Sequence, residues 1–271
     1  MLRERILSGI VLGIPVMGML VAGGWWMALL VLIVGSLALL EYVNLVARRG
    51  HRAFGGLLLL SMGLFVADRV FPEKQLLAPG VAALILLALA WSIVRFRQGT
   101  ANAVTGFATT LAGSFYIGWT AAHFVSLRAL EDGLFWTLTV VLAVWTADTG
   151  AYAIGRAVGR TPLIWDVSPG KTWEGYLGGI ITGTGLSAVL PLAWQALGAS
   201  PIVSPLHGLI IGALISVITP LGDLGVSMIK RYAGTKHSSN LIPGHGGFLD
   251  RIDTLLVACL LGYYYLTLVV L

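Results

Sequence analysis

Residues 206–229 read L-H-G-L-I-I-G-A-L-I-S-V-I-T-P-L-G-D-L-G-V-S-M-I, and residues 253–271 read D-T-L-L-V-A-C-L-L-G-Y-Y-Y-L-T-L-V-V-L. A hydrocarbon core about 30 Å thick takes about 20 apolar residues of helix to cross, and both runs meet that. Between them lies a polar connection, residues 230–252: K-R-Y-A-G-T-K-H-S-S-N-L-I-P-G-H-G-G-F-L-D-R-I. A spanning run, a charged connection and a second spanning run make this an all-α integral membrane protein. It also places the chemistry beside the bilayer.

The rest of the chain repeats the pattern. Its 271 residues are 57% hydrophobic and 11% charged, against roughly 25% charged in a soluble domain. Nine apolar runs approach spanning length: about 6–23, 25–46, 54–70, 76–94, 104–126, 134–155, 175–197, 206–229 and 253–271. The reading divides them into N-terminal spans over 1–130 (spans 1–5) and a catalytic region over 131–271 (spans 6–9) with long polar loops at 156–174 and 230–252. Of the 17 basic residues, only Arg69, Lys74 and Arg128 fall on one side of the alternation. The positive-inside rule makes the richer side cytoplasmic, so the N-terminus is expected inside and the C-terminus outside. The first run follows Arg3 and Arg5 but lacks an A-x-A-like cleavage site, so it reads as a retained helix.

The net charge of +5 reports this topology and does not point to nucleic acid. The single cysteine, Cys259, excludes an internal disulfide and a zinc-type cysteine cluster. Small residues at GxxxG spacing, Gly9/Gly13, Gly175/Gly179/Gly183 and Gly208/Gly212, predict close helix packing.

Acids within or beside the spans are the functional candidates, because a carboxylate in hydrocarbon must pair or line a polar cavity. Asp148 lies in W-T-A-D-T-G-A-Y and Asp223 in P-L-G-D-L-G. Asp223, Ser227 and Lys230 share a helix face at i, i+4 and i+7. Pro220 removes a helical donor just before them. Asp250 and Asp253 share a side of the last helix near its N-terminus, which suits an acid whether or not it binds a ligand. Before them, Gly246-Gly247 can turn successive N–H groups toward an anion, or simply turn the chain. His245 suits a phosphate contact, a proton shuttle or a turn.

In the loop 156–174, Ser168-Pro169-Gly170-Lys171-Thr172-Trp173-Glu174 contains G-K-T, but Trp165 stands where a phosphate-binding P-loop needs Gly. Ser168, Lys171 and Thr172 remain as phosphate contacts or capping residues at a helix entry. Carboxylates suited to Mg²⁺, next to Lys and Arg suited to phosphates, are the parts of phosphoryl or nucleotidyl transfer.

Ser227, Lys230-Arg231, Lys236, Pro243, His245-Gly246-Gly247, Asp250-Arg251 and Asp253 resemble the signature of the phosphatidate cytidylyltransferases, or CDP-diacylglycerol synthases. D-T-G-A-Y with Gly155-Arg156, and S-P-G-K-T-W-E-G, also look like segments of that family. The one departure is Lys236-His237, where the family has Lys-Asp. The resemblance implies transfer of CMP from CTP to phosphatidate, giving CDP-diacylglycerol and pyrophosphate for phospholipid biosynthesis, at the cytoplasmic face of the inner membrane. It implies Asp223 and Asp250 as Mg²⁺ ligands supported by Asp148 and Asp253, with room for a second, monovalent cation. Lys230, Arg231 and His245 are expected to act in catalysis. Ser168, Lys171, Thr172, Ser227, Lys236, Gly246, Gly247 and Arg251 are expected to hold CTP and phosphatidate. A homodimer is also implied, although the GxxxG faces can equally be satisfied within one chain. The rival readings are a CTP-dependent polyprenol kinase, which would release CDP, and an ion-coupled transporter using Asp148 and Asp223. The second is weakened by outward span halves with few ionisable groups, His123 being the main exception.

Overall fold

The computed structural model describes residues 2–242 and 246–271, with residues 2–8 and 10 as backbone alone. Among them, six helices are long and apolar enough to cross a membrane: Gly24–Ala47, Leu77–Arg97, Gly133–Val158, Trp173–Ala196, Pro205–Tyr232 and Leu249–Val270. The protein is an all-α integral membrane protein.

The chain divides into two units that do not follow sequence order: Met1–Ser126 with Ile229–Ile252, and Leu127–Met228 with Asp253–Leu271. In the first, α1 (Leu2–Ala22), α2 (Gly24–Ala47), α3 (Gly55–Val70) and α4 (Leu77–Arg97) precede α5 (Ala103–Gly113). A π-helical turn, Ser114–Trp119, then joins α5 to α6 (Thr120–Ala129). α3 has 16 residues, so it extends only about 24 Å at the helical rise, less than the hydrocarbon thickness. Leu39, Leu45, Leu58, Met62, Phe65 and Ile117 are fully buried and form the apolar centre of this unit. Several polar groups inside it are paired within the protein, as lipid favours. Tyr42 donates to the Thr109 carbonyl at 3.0 Å, and Thr110 Oγ1 accepts from Phe54 N–H at 2.8 Å.

The second unit runs from α7 (Gly133–Val158) through a short antiparallel hairpin, β1 (Pro162–Ile164) and β2 (Ser168–Thr172), into α8 (Trp173–Ala196). It continues through α9 (Pro205–Ile218). The run 206–229 is not one straight helix. It breaks at Thr219, and α10 begins at Pro220 and ends at Tyr232. Pro220 has no N–H to donate back. The Thr219 carbonyl instead accepts from Gly222 N–H at 2.8 Å in a tighter turn. α11 (Leu249–Tyr265) and a π-helical turn, Leu266–Val270, complete the chain. The hairpin is a feature the apolar pattern did not signal, because its strands have only three and five residues.

Small residues set the spacing in the second unit. A β-carbon on Gly175 would lie 2.7 Å from the Ala151 carbonyl oxygen, and one on Gly179 would lie 2.8 Å from that of Ala147. One on Gly183 would overlap Ser216 Oγ, and one on Gly208 would overlap the Ser187 carbonyl. The two GxxxG stretches in this region therefore pack α8 against α7 and α9 within the chain. Gly185, on the same helix, has nothing within 4 Å of a built β-carbon. Gly179→Leu is expected to lower stability by about 1–3 kcal/mol through overpacking. Gly185→Leu should leave the melting temperature in detergent unchanged, and equal losses for the two would count against this packing.

Candidate active site

In the second unit the charged centre forms where the hairpin meets α10. Thr172 Oγ1 caps α8 by accepting from Gly175 N–H at 3.2 Å. Glu174 in that helix's first turn accepts from the N–H groups of Arg160 and Thr161, at 3.1 and 3.2 Å. These bonds tie the hairpin back to the helix, and Lys171 in β2 then reaches Asp223, with Nζ 2.6 Å from Oδ2. Asp223 Oδ1 accepts from Ser227 Oγ at 3.1 Å, one helical turn on. Asp148 on α7 lies within electrostatic reach of both Lys171 and Asp223. Two acids and one ammonium thus share this cluster. Asp223 stands in the first turn of α10, while Lys230 and Arg231 stand in its last. Both placements complement the helix dipole.

The first unit holds a more enclosed arrangement. Lys230 Nζ lies 2.5 Å from Asp250 Oδ1, and their side chains are only 12% and 8% exposed. Asp250 Oδ2 accepts from Ser238 N–H at 2.9 Å and Gly247 N–H at 3.2 Å, with Ser238 Oγ at 3.0 Å. Gly246 has φ +81°, a left-handed conformation in which other residues are strained. A β-carbon there would lie 2.8 Å from Asp250 Oδ2 and 3.4 Å from His237 Nδ1. His237, the departure from the family signature, therefore lies beside the turn that carries Asp250. Within the Gly-Gly turn, the Gly247 N–H meets a carboxylate of the protein itself, that of Asp250.

The remaining candidates divide by position. Arg231, Lys236 and Arg251 are exposed, as suits groups that meet a soluble ligand. Ser168 pairs with Ile164 at the start of β2. Asp253 is 7% exposed, and its Oδ1 accepts from Thr254 N–H at 2.8 Å. Its carbonyl lies so near Gly222 that a β-carbon on Gly222 would overlap it. His245 lies outside the described residues.

One acid escaped the sequence reading. Glu41 in α2 is 2% exposed. Its carboxylate accepts from Ser238 Oγ at 2.7 Å, Ser239 Oγ at 2.6 Å, and the N–H groups of Phe248 and Leu249 at 2.9 Å each. The signal was present, since an acid within L-A-L-L-E-Y-V-N-L is as costly in lipid as Asp148. Nearby, Arg49 Nε donates to the Tyr232 carbonyl, and the His51 ring stacks on the Tyr232 ring with centroids 5.8 Å apart. Residues of α2 and the loop that follows it thus hold the connection near both of its ends.

The chain is similar to known proteins over nearly its whole length. The model of the cytidylyltransferase family matches residues 3–269. A phosphatidate cytidylyltransferase of Bacillus subtilis (strain 168) is 33% identical over 272 residues, covering 98% of each chain. One from Synechocystis is 33% identical over 298 residues, covering 98% of this chain and 96% of the relative. One from Brucella melitensis is 34% identical over 273 residues, covering 97% and 93%. The match runs through the N-terminal helices as well as the charged connections, and the chain belongs to the cytidylyltransferase family.

Proposed function

We propose that the protein transfers CMP from CTP to phosphatidate, forming CDP-diacylglycerol and pyrophosphate. The observation that carries this reading is the pairing of lysine with aspartate, Lys171 with Asp223 and Lys230 with Asp250, in a chain otherwise almost free of charge. The names of the relatives supply the substrates. A phosphate oxygen of phosphatidate attacks the α-phosphorus of CTP, and the bond from that phosphorus to the bridging oxygen breaks. Pyrophosphate leaves with the electron pair. The nucleophile is already an oxyanion, so no general base is needed. The protein must instead neutralise charge and align the groups.

Lys171 and Lys230 are the cations best placed for this, because each is already ordered by a carboxylate. Arg231, Lys236 and Arg251 add phosphate contacts at the surface. Ser168, Thr172, Ser227, Gly246 and Gly247 line the segments that carry these charges. Among the described residues no three His, Cys, Asp or Glu side chains group into a metal cage. Mg²⁺ at nucleotide sites takes only one or two carboxylates and fills its shell with phosphate and water oxygens. Asp223, 31% exposed and sharing its surroundings with Asp148, fits that donor set. We assign Asp223 and Asp250 to Mg²⁺, with Asp148 and Asp253 in support. When bound, the ion neutralises the triphosphate and eases departure of pyrophosphate.

Purified protein given radiolabelled CTP, phosphatidate and Mg²⁺ should form CDP-diacylglycerol and pyrophosphate, and chelation should stop it. Asp223→Asn should lower kcat on the order of a hundredfold or more through lost electrostatic stabilisation. Full turnover by that variant, or release of CDP, would refute the reading.

Stability should separate the two pairs. Asp250→Ala leaves the enclosed Lys230 ammonium without its carboxylate and is expected to cost about 3–5 kcal/mol. Asp223→Ala breaks a partly exposed pair and should cost under about 1 kcal/mol. Thermal unfolding in detergent reads both, and similar losses would contradict the difference in enclosure.

The reading places catalysis at the cytoplasmic face of the inner membrane, where CTP is. In a Cys259→Ala background, Gln98→Cys should react with an impermeant thiol reagent from the cytoplasmic side, and Pro201→Cys from the opposite side. The reverse pattern would invert the topology.

A further inference from the structure

We infer that Glu41 is a positioning residue for the reaction, holding the segment that carries Asp250 in register from a helix far away in sequence. The inference rests on the function proposed above. A carboxylate buried in an apolar helix is tolerated only when its lone pairs are filled. An ionised carboxylate offers about four acceptor sites, and four donors meet this one. Two are serine hydroxyls from the early part of the connection. The other two are backbone N–H groups at the entry to α11, where helices leave donors unpaired and favour negative charge. Glu41 therefore caps α11 from another helix and clips Ser238 and Ser239 to the same point.

The Asp250 arrangement adjoins both clipped points. Ser238 Oγ is 2.7 Å from Glu41 Oε2 and 3.0 Å from Asp250 Oδ2, and its single proton serves one of them at a time. Asp250 is the residue after Leu249, whose N–H Glu41 holds. Loss of the Glu41 contacts loosens Ser238 and the entry to α11 together, while Lys230 and Gly247 still hold Asp250. Gly247 belongs to the same design, because a β-carbon there would lie 2.5 Å from Glu41 Oε1 and overlap Ser238 Oγ.

Glutamine cannot replace this acid without conflict. Oε1 accepts from Ser239 Oγ and Phe248 N–H, and Oε2 accepts from Ser238 Oγ and Leu249 N–H. Whichever oxygen becomes an amide nitrogen, its N–H groups confront a backbone N–H.

The test compares wild type with Glu41→Gln in detergent. It measures melting temperature, hydrogen exchange of peptides covering 238–250, and kcat and KM for CTP. Exchange is expected to quicken in that segment alone, with at most a modest fall in melting temperature. The kcat should fall on the order of a hundredfold, as misplaced groups produce, with a smaller change in KM. Unchanged exchange in 238–250, or faster exchange with wild-type kcat, would overturn the inference. A purely structural role would instead speed exchange throughout the protein and lower the melting temperature. Ser239→Ala removes one donor of four and covers the case in which Glu41→Gln does not fold. Faster exchange in 238–250 with reduced kcat supports the inference in that variant, and wild-type behaviour overturns it. The exchange measurement needs no substrate, so inactivity of the wild type towards CTP and phosphatidate would refute the proposed function and leave Glu41 to be decided by exchange.

Discussion

A charge in hydrocarbon has no water to turn to, and its partner must come from the protein. That constraint organises this molecule. Asp223 meets Lys171 and Ser227, Asp250 meets Lys230 and Ser238, and Glu41 meets two hydroxyls and two backbone amides. Apart from the Asp223–Ser227 bond within α10, each contact joins segments that the sequence separates, so satisfying the acids also shapes the connections that carry them. Elsewhere the same demand is met locally, as where the Thr110, Thr137 and Thr182 hydroxyls donate to carbonyls one turn back.

The two lysine–aspartate pairs differ in a way that suits different tasks. Lys171 and Asp223 are 28% and 31% exposed, so they are less enclosed and either can change partner at smaller cost. Lys230 and Asp250 are enclosed, with further donors fixing the carboxylate, so their geometry is held more firmly. A reaction that gathers several phosphates benefits from cations already ordered before substrate arrives, because that ordering is then not lost from the binding energy.

Much of the site could be read in one dimension. Asp223, Ser227 and Lys230 follow from helical spacing, and α10 does place Asp223 and Ser227 one turn apart in contact. The break before Asp223 follows from Pro220 having no N–H. The GxxxG runs at 175–183 and 208–212 announced close packing, although only the fold shows that their partners are α7, Ser216 and Ser187. Thr172 carried two readings, cap and phosphate contact, and its hydroxyl forms the cap. Glu41 was legible as an intramembrane acid but not as part of this arrangement, since its partners lie about two hundred residues away. No pattern within α2 points to them.

By itself the sequence determined that this is a helical membrane protein, which short polar stretches carry its charge, and which acids and bases belong together as a family signature. Those properties follow from composition, local period and the cost of charge in lipid, all of which act over a few turns of chain. Tertiary structure decided which lysine each aspartate meets, which turn the paired glycines make room for, and that a glutamate of α2 holds the entry to α11. Hydrogen bonds form between atoms a few ångströms apart in space, and for these residues only the packing of helices brings the atoms that close.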